Sequence, residues 1–293
     1  MKLLFSGVLL IIFSTLAGSS FDTIVKFLST NLFKWYHFFS IGNTFGILIL
    51  LLFLSFSGGI KKHVILNKKE NYIIPIIRGI SFIPIPILVF FSLKNIPINL
   101  FTTLLMTMPF FVLIFSNIIL KEKLNYISWI SIFCGFIGAI LVLQPTVSTL
   151  SIFMLMPILV AIYHAINFII ISKYSDKASP YGYTFYFFLP LTFLSIIIFL
   201  FDPILPTIKE ALLVLCAGTV VMISIVLWTT AFHIAGKYSS IISSFLFTQI
   251  IWAAIYGNIF FSEKLDLVSV IGIIIIVISG IIAFNNKKKI NIT

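Results

Sequence analysis

The seven residues EKLNYIS, residues 122–128, return as EKLDLVS, residues 263–269, 141 positions further on in a chain of 293. Each copy closes one apolar run and opens the last run of its half of the chain. Internal similarity at half the chain length is the mark of a duplicated architecture. Reading outward from the two copies, runs of about 20 apolar residues, the length needed to cross a hydrocarbon core, fall at about 3–27, 35–55, 71–93, 97–119, 127–145, 149–172, 181–201, 208–230, 238–261 and 267–285. Five runs per half is an odd number, so the second half must sit upside down relative to the first. The expected fold is all-α: a polytopic membrane protein of ten transmembrane helices, arranged as two inverted five-helix repeats over residues 1–146 and 147–293. Inverted repeats give two related conformations open to opposite sides, as secondary transporters use them.

Composition agrees with the runs. Hydrophobic residues make up 60% of the chain and charged residues 9%, against about 25% charged in a soluble domain. Such a chain has no polar coat to keep it in water. Its net charge of +11 does not point to nucleic acid, because no basic face survives once the runs are removed. The lysines sit in short loops, where the expected partners are anionic lipid headgroups. Cys134 and Cys216 lie inside apolar runs without a CxxC or metal-ligand companion, and read as small packing residues.

Orientation follows from Lys and Arg placement. With the N-terminus in the cytoplasm, fourteen of the nineteen Lys and Arg residues gather on the inner side; Lys26, Lys34, Lys94, Lys209 and Lys264 fall outside. This predicts a multi-pass protein of the cell inner (cytoplasmic) membrane with both termini cytoplasmic. Lys2, the apolar stretch after it and Ala17-Gly18-Ser19 imitate a signal peptide. Removing that segment would leave nine spans and break the repeat, so it is read as the first helix.

Several residues could line a substrate pathway. Asp22 is the acid embedded in a run; it lies 20 residues past Lys2, about 30 Å along a helix and close to the outer interface. Asp22 and Lys26 can form an ordinary i,i+4 pair at a helix end, or an outer-vestibule site for substrate or proton. In the sixth run, Tyr163, His164 and Asn167 share a face; they fit hydrogen-bonded helix contacts or a cavity wall. In the ninth run, Ser244, Thr248, Trp252 and Tyr256 recur at steps of four with Gln249 beside them, a pattern that suits amphipathic ligands and equally suits helix packing. Trp228 in the eighth run is a further candidate of the same kind, and Asn43 and Thr107 in the second and fourth runs sit near mid-depth. Pro84 and Pro86 in the third run and Pro109 in the fourth each remove a backbone hydrogen bond, for a hinge or a static kink. Arg78 and Lys94 read as interfacial residues whose long side chains reach to the headgroups.

The sequence holds no G-x-x-x-x-G-K-[ST] phosphate loop, HExxH, Cys/His ligand cluster or Gly-rich dinucleotide loop. No cofactor and no metal site is expected, and transport would be secondary. Proton coupling would rest on Asp22 or His164. Two other readings compete: a lipid-acting membrane enzyme, which would need a nucleophile–base pair or metal cluster at one depth, and a membrane-embedded scaffold or receptor subunit, which would need no central wet cavity.

The order of short motifs resembles the EamA-like branch of the drug/metabolite transporter superfamily. Arg78-Gly79 opens the third helix. Residues 91–97, FSLKNIP, resemble that family's hinge between helices three and four; residues 121–124, KEKL, resemble its acidic turn; residues 136–142, FIGAILV, resemble its fifth helix. The chain departs from the pattern at Ile41, at Ser92 and at residues 232–234, FHI. The stretch around Asp22, Lys26, Leu28 and Leu32 also resembles S-adenosylmethionine carriers of the same superfamily. The resemblance implies ten helices in inverted repeats, no enzymatic activity, and alternating access for a small polar or amphipathic metabolite: an amino acid or derivative, a nucleoside-like metabolite, or a drug.

Overall fold

The computed structural model describes residues 2–28, 33–96, 98–145, 151–262 and 266–290. Leu32, Pro97 and Glu263 to Leu265, and the side chains of Lys94, Lys237 and Lys287 to Lys289, lie outside the described residues. Among the described residues, ten helices are long and apolar enough to cross a membrane: α1 Lys2–Leu28, α2 Trp35–Phe56, α3 Lys69–Val89, α4 Leu100–Leu120, α5 Tyr126–Leu143, α6 Ile152–Lys173, α7 Pro180–Phe201, α8 Ile208–Ala235, α9 Ser239–Phe261 and α10 Leu267–Asn285. No strand occurs among the described residues. Helices satisfy every interior backbone group within one segment, which lipid cannot do for them. An even number of crossings joined by short loops puts both chain ends on one face, called here the termini face.

The helix ends show why the runs stop where they do. Asn125 caps α5, its side chain accepting from the Ser128 N–H at 3.0 Å. Ser179 caps α7 ahead of Pro180, a residue that fits the first helical position because its missing N–H would have no partner there. Thr207 and Glu210 form a reciprocal capping box on α8. Among the described residues, the non-glycine positions with positive φ are Lys121, Gln144 and Ser262, at 54°, 41° and 56°. Lys121 and Ser262 close α4 and α9, and each stands immediately before a copy of the repeated EKL motif. The same left-handed stop therefore ends the fourth helix of each half.

Packing is dominated by pairs between the halves: α1 along α8 and α9, α2 along α8, α3 along α6 and α7, α4 along α6, and α5 along α10. Hydrocarbon tails offer helices no hydrophobic reason to associate, so close backbone approach and polar clasps take over. Ser14 Oγ donates to the Ser224 carbonyl and Ser224 Oγ to the Ser14 carbonyl, both at 2.8 Å, joining α1 to α8. Gly218 on α8 faces the Gly42 carbonyl on α2 so closely that a Cβ would overlap it. The outward faces carry exposed Phe53, Phe56, Phe193, Leu200 and Phe201, as a lipid-facing surface requires.

Four helices are irregular. α3 breaks at Ile83 ahead of Pro84, with Pro86 in the second segment, which runs on to Asn95. α4 breaks at Met106–Thr107 ahead of Pro109. Its counterpart by position in the other half, α9, breaks into a 3-10 turn at Ser244–Phe247. α2 carries a π-helical turn at Phe38–Gly42. At the far face, Lys34 pairs with Asp202 at 2.7 Å and the Tyr36 hydroxyl donates to the same carboxylate. The hydrogen bond from Lys34 holds the Asp202 carboxyl below the usual carboxylate range. At the termini face, Glu122 is buried and accepts from the Ser240 hydroxyl and, at 3.3 Å, from the Ser240 N–H. The first copy of the repeated motif thus seats a carboxylate at the start of α9, where helix N–H groups favour negative charge.

Candidate translocation site

The sequence expectation placed Arg78 at an interface, with its side chain reaching toward headgroups. The structure corrects this: Arg78 is 2% exposed. Helical structure begins at Lys69, and nine residues at 1.5 Å each carry Arg78 roughly 14 Å into the bundle. Its Nε donates to Asn167 Oδ1 at 2.9 Å, and its guanidinium carbon lies 5.1 Å from the Phe187 ring and 5.4 Å from the Tyr183 ring. Tyr163 Oη donates to the Arg78 carbonyl at 3.1 Å and lies 3.3 Å from Ser81 Oγ. Asn167 is held in turn by its Nδ2, which donates to the Tyr163 carbonyl at 2.9 Å.

One helical turn along this face, His164 sits inside an aromatic shell. Trp228 is 5.5 Å away, ring centre to ring centre, Tyr163 5.5 Å, and Phe82 and Phe168 each 6.3 Å. Phe168 is itself clamped between Trp228 at 4.3 Å and Phe232 at 4.1 Å. Four polar atoms here, Arg78 Nη1 and Nη2, His164 Nδ1 and Trp228 Nε1, are buried without a hydrogen-bond partner among the described residues. A buried polar group without a partner costs free energy, and here four such atoms lie close together. α3, α6, α7 and α8 supply the walls around them.

A second set of residues forms a hydrogen-bonded seam between α1 and α9, toward the far face. Thr15 and Thr248 meet at 2.7 Å, Ser19 Oγ donates to the Gln249 carbonyl at 3.0 Å, and Ser20 and Tyr256 meet at 2.9 Å. Gln249 Nε2 donates to Asp22 Oδ2 at 3.1 Å. The ammonium of Lys26, one turn from Asp22, lies 4.2 Å from the centre of the Phe261 ring. Beside the seam opens a cavity of about 380 Å³ lined by residues that include Ser20, Thr23, Phe27, Lys209, Tyr256 and Phe260.

The residues singled out from sequence therefore separate. Tyr163, His164, Asn167 and Trp228 come together around Arg78. Asp22, Thr248, Gln249 and Tyr256 come together in the seam. Four belong to neither group's bonding. Ser244 donates to the Ser240 carbonyl within α9, and Thr107 to the Leu104 carbonyl at the break in α4. Asn43 Nδ2, just past the π-helical turn, and Trp252 Nε1 are buried without a partner among the described residues. Sequence reasoning missed Arg78, Tyr183 and Phe187. The signal was available: no acid lies within ten residues of Arg78 except Glu70, and Tyr183 and Phe187 stand four apart on one helix face. No group of three or more His, Cys, Asp or Glu able to hold a metal ion occurs among the described residues.

Comparison with known proteins bears on this arrangement. The sequence profile described as the EamA-like transporter family matches residues 5–144 and 151–285. The chain is 25% identical over 290 residues to the pseudopaline exporter CntI of Pseudomonas aeruginosa (strain UCBPP-PA14), covering 98% of this chain and 99% of that protein. It is 24% identical over 300 residues to the S-adenosylmethionine uptake transporter of Rickettsia prowazekii (strain Madrid E), covering 99% and 96%. Over 150 residues, 51% of this chain and 50% of the other, it is 29% identical to a riboflavin transporter of Vibrio cholerae. One crystal structure, 15% identical, superposes with a TM-score of 0.75 over 99% of this chain and 97% of that one, which shows the fold. With ten spanning helices and a profile match across both halves, the chain belongs to the EamA-like transporter family and is a multi-pass membrane transporter of small metabolites.

Proposed function

We propose that this protein moves its cargo by alternating access, as a secondary transporter, along a path between α3, α6, α7 and α8. The observation that carries the reading is the cluster of buried polar atoms without a partner among the described residues at Arg78, His164 and Trp228, set in a bundle whose fourth helix in each half is broken. Discontinuous helices at mid-depth expose backbone groups where a cargo can meet them. Pro84, Pro86 and Pro109 serve as the hinges of α3 and α4.

Two inverted repeats, residues 1–146 and 147–293, underlie the movement. The packing supports them: advancing every helix number by five turns α1–α8 into α6–α3, α3–α7 into α8–α2, and α4–α6 into α9–α1, while α5–α10 maps onto itself, and every one of these pairs packs in the structure. The shared left-handed stops at Lys121 and Ser262 point the same way. The protein lies in the inner membrane with both termini cytoplasmic, where its basic loops face anionic headgroups. Asp22, held by Gln249, is the group through which a proton would couple. The cargo is an amino-acid derivative or a nucleoside-like metabolite, in line with relatives named for S-adenosylmethionine, riboflavin and pseudopaline.

Purified protein in proteoliposomes tests this, with labelled amino acids, S-adenosylmethionine and riboflavin as the panel. Saturable uptake of at least one compound, accelerated by unlabelled compound on the opposite side, is expected. Absence of protein-dependent flux for the whole panel under every imposed gradient would contradict the reading.

A further inference from the structure

The guanidinium of Arg78 is the least explained charge in the bundle. It is 2% exposed, lies within a spanning helix, and forms no ion pair among the described residues. Asn167 satisfies Nε alone. Tyr183 and Phe187 cover the cation, but an aromatic face accepts no strong hydrogen bond from Nη1 or Nη2. Both of these nitrogens remain buried and free. Removing a charge from water without a counter-charge is among the largest costs a fold can carry. Lysine would pose the same charge problem; arginine adds a planar fork of parallel N–H groups, the geometry that matches a carboxylate two bonds at a time.

We propose that Arg78 anchors the cargo by a carboxylate group, which its Nη1 and Nη2 receive as a bidentate pair while Asn167 holds Nε and fixes the fork. The adjoining part of the cargo then lies against His164 and Trp228, whose free ring N–H or lone-pair atoms suit a heteroaromatic or polar group. This inference rests on the transport reading above and narrows it to carboxylate-bearing metabolites. It also gives Tyr163 and Asn167 a positioning role: Tyr163 ties the backbone of Arg78 to α6, and Asn167 ties its side chain to the same helix.

The test compares acids with the amines they become on loss of the carboxylate. Purified wild-type protein is melted with L-methionine, L-histidine, L-tryptophan and S-adenosylmethionine, each beside its decarboxylated counterpart, and with sodium chloride alone. At least one acid is expected to raise the melting temperature in a saturable way, with its amine weaker by about tenfold or more in half-maximal concentration. Arg78→Gln should abolish that difference, and Arg78→Lys, which keeps the charge but loses the fork, should restore only part of it. The wild-type comparison stands even if Arg78→Gln does not fold. Amines that protect as well as acids, chloride that protects as well as either, or no protection by any acid would overturn the proposal. Flux separates the two levels: an acid carried normally by Arg78→Gln leaves transport standing and removes the carboxylate anchor, whereas a wild-type protein that carries nothing removes transport itself.

Discussion

Asp22 and His164 occupy different chemical settings, and their predicted mutant behaviour differs accordingly. Asp22 accepts from Gln249 across the α1–α9 seam; Asp22→Asn keeps the shape and one hydrogen-bonding oxygen but removes the charge. His164 sits in an aromatic shell with a free buried Nδ1; His164→Ala empties part of that shell. Both substitutions should lower flux roughly tenfold, a change of about 1.4 kcal/mol in transition-state terms, while expression and melting temperature fall much less for Asp22→Asn than for His164→Ala. Proteoliposome flux beside thermal melts of the same preparations reads both effects. Normal flux in both variants would remove these residues from the pathway. At this scale the sequence was legible where polar residues stood at helical spacing, as Tyr163 and Asn167 do, and illegible where depth mattered. Arg78 looked interfacial because it stands only seven residues into an apolar run that begins at about residue 71, whereas helical turns begin at Lys69. Glu122 looked like a loop acid because its partner, Ser240, is 118 residues away.

Between elements, separation is set by the smallest residues. Gly218 lets α8 touch α2 at Gly42, and Gly138 meets Gly272 where α5 crosses α10, with a Cβ on Gly138 only 2.8 Å from the Gly272 carbonyl. Gly218→Ala would push the α2 backbone away at the Gly42 carbonyl, an overpacking worth about 1–3 kcal/mol. A clear drop in melting temperature in detergent is expected; a variant that melts with the wild type would mean that α2 and α8 do not approach as described. The helices themselves were readable as runs, with ends displaced by a few residues, because a lipid-spanning segment must be uniformly apolar. The prolines announced the breaks in α3 and α4. The break in α9 carried no proline to announce it: residues 244–247, SFLF, hold the 3-10 turn, and only its place opposite the α4 break makes sense of it. The α1–α9 seam was half visible, since Thr248 and Tyr256 stood out along one face while nothing in the sequence singled out their partners Thr15 and Ser20.

At the level of the whole molecule, ten helices explain why few charges suffice. The described ion pairs Lys34–Asp202 and Lys177–Asp176 sit at the ends of the bundle, and the interior holds hydroxyl clasps such as Ser14–Ser224 that can separate and re-form at low cost. Such contacts are compatible with the proposed movement of two halves. The proposed duplication rests in the sequence on one short motif that recurs at a helix boundary, where backbone geometry constrains sequence; the rest of each half is too uniformly apolar to show kinship by eye. Ser81 offers the most direct test of alternation, being exposed on α3 while contacting Tyr163 at the edge of the central cluster. In a background with Cys134→Ala and Cys216→Ala, Ser81→Cys in membranes of known orientation should react with a membrane-impermeant thiol reagent from either side in turn, with cargo shifting the ratio. Reaction from one side only, whatever cargo is added, would contradict the account.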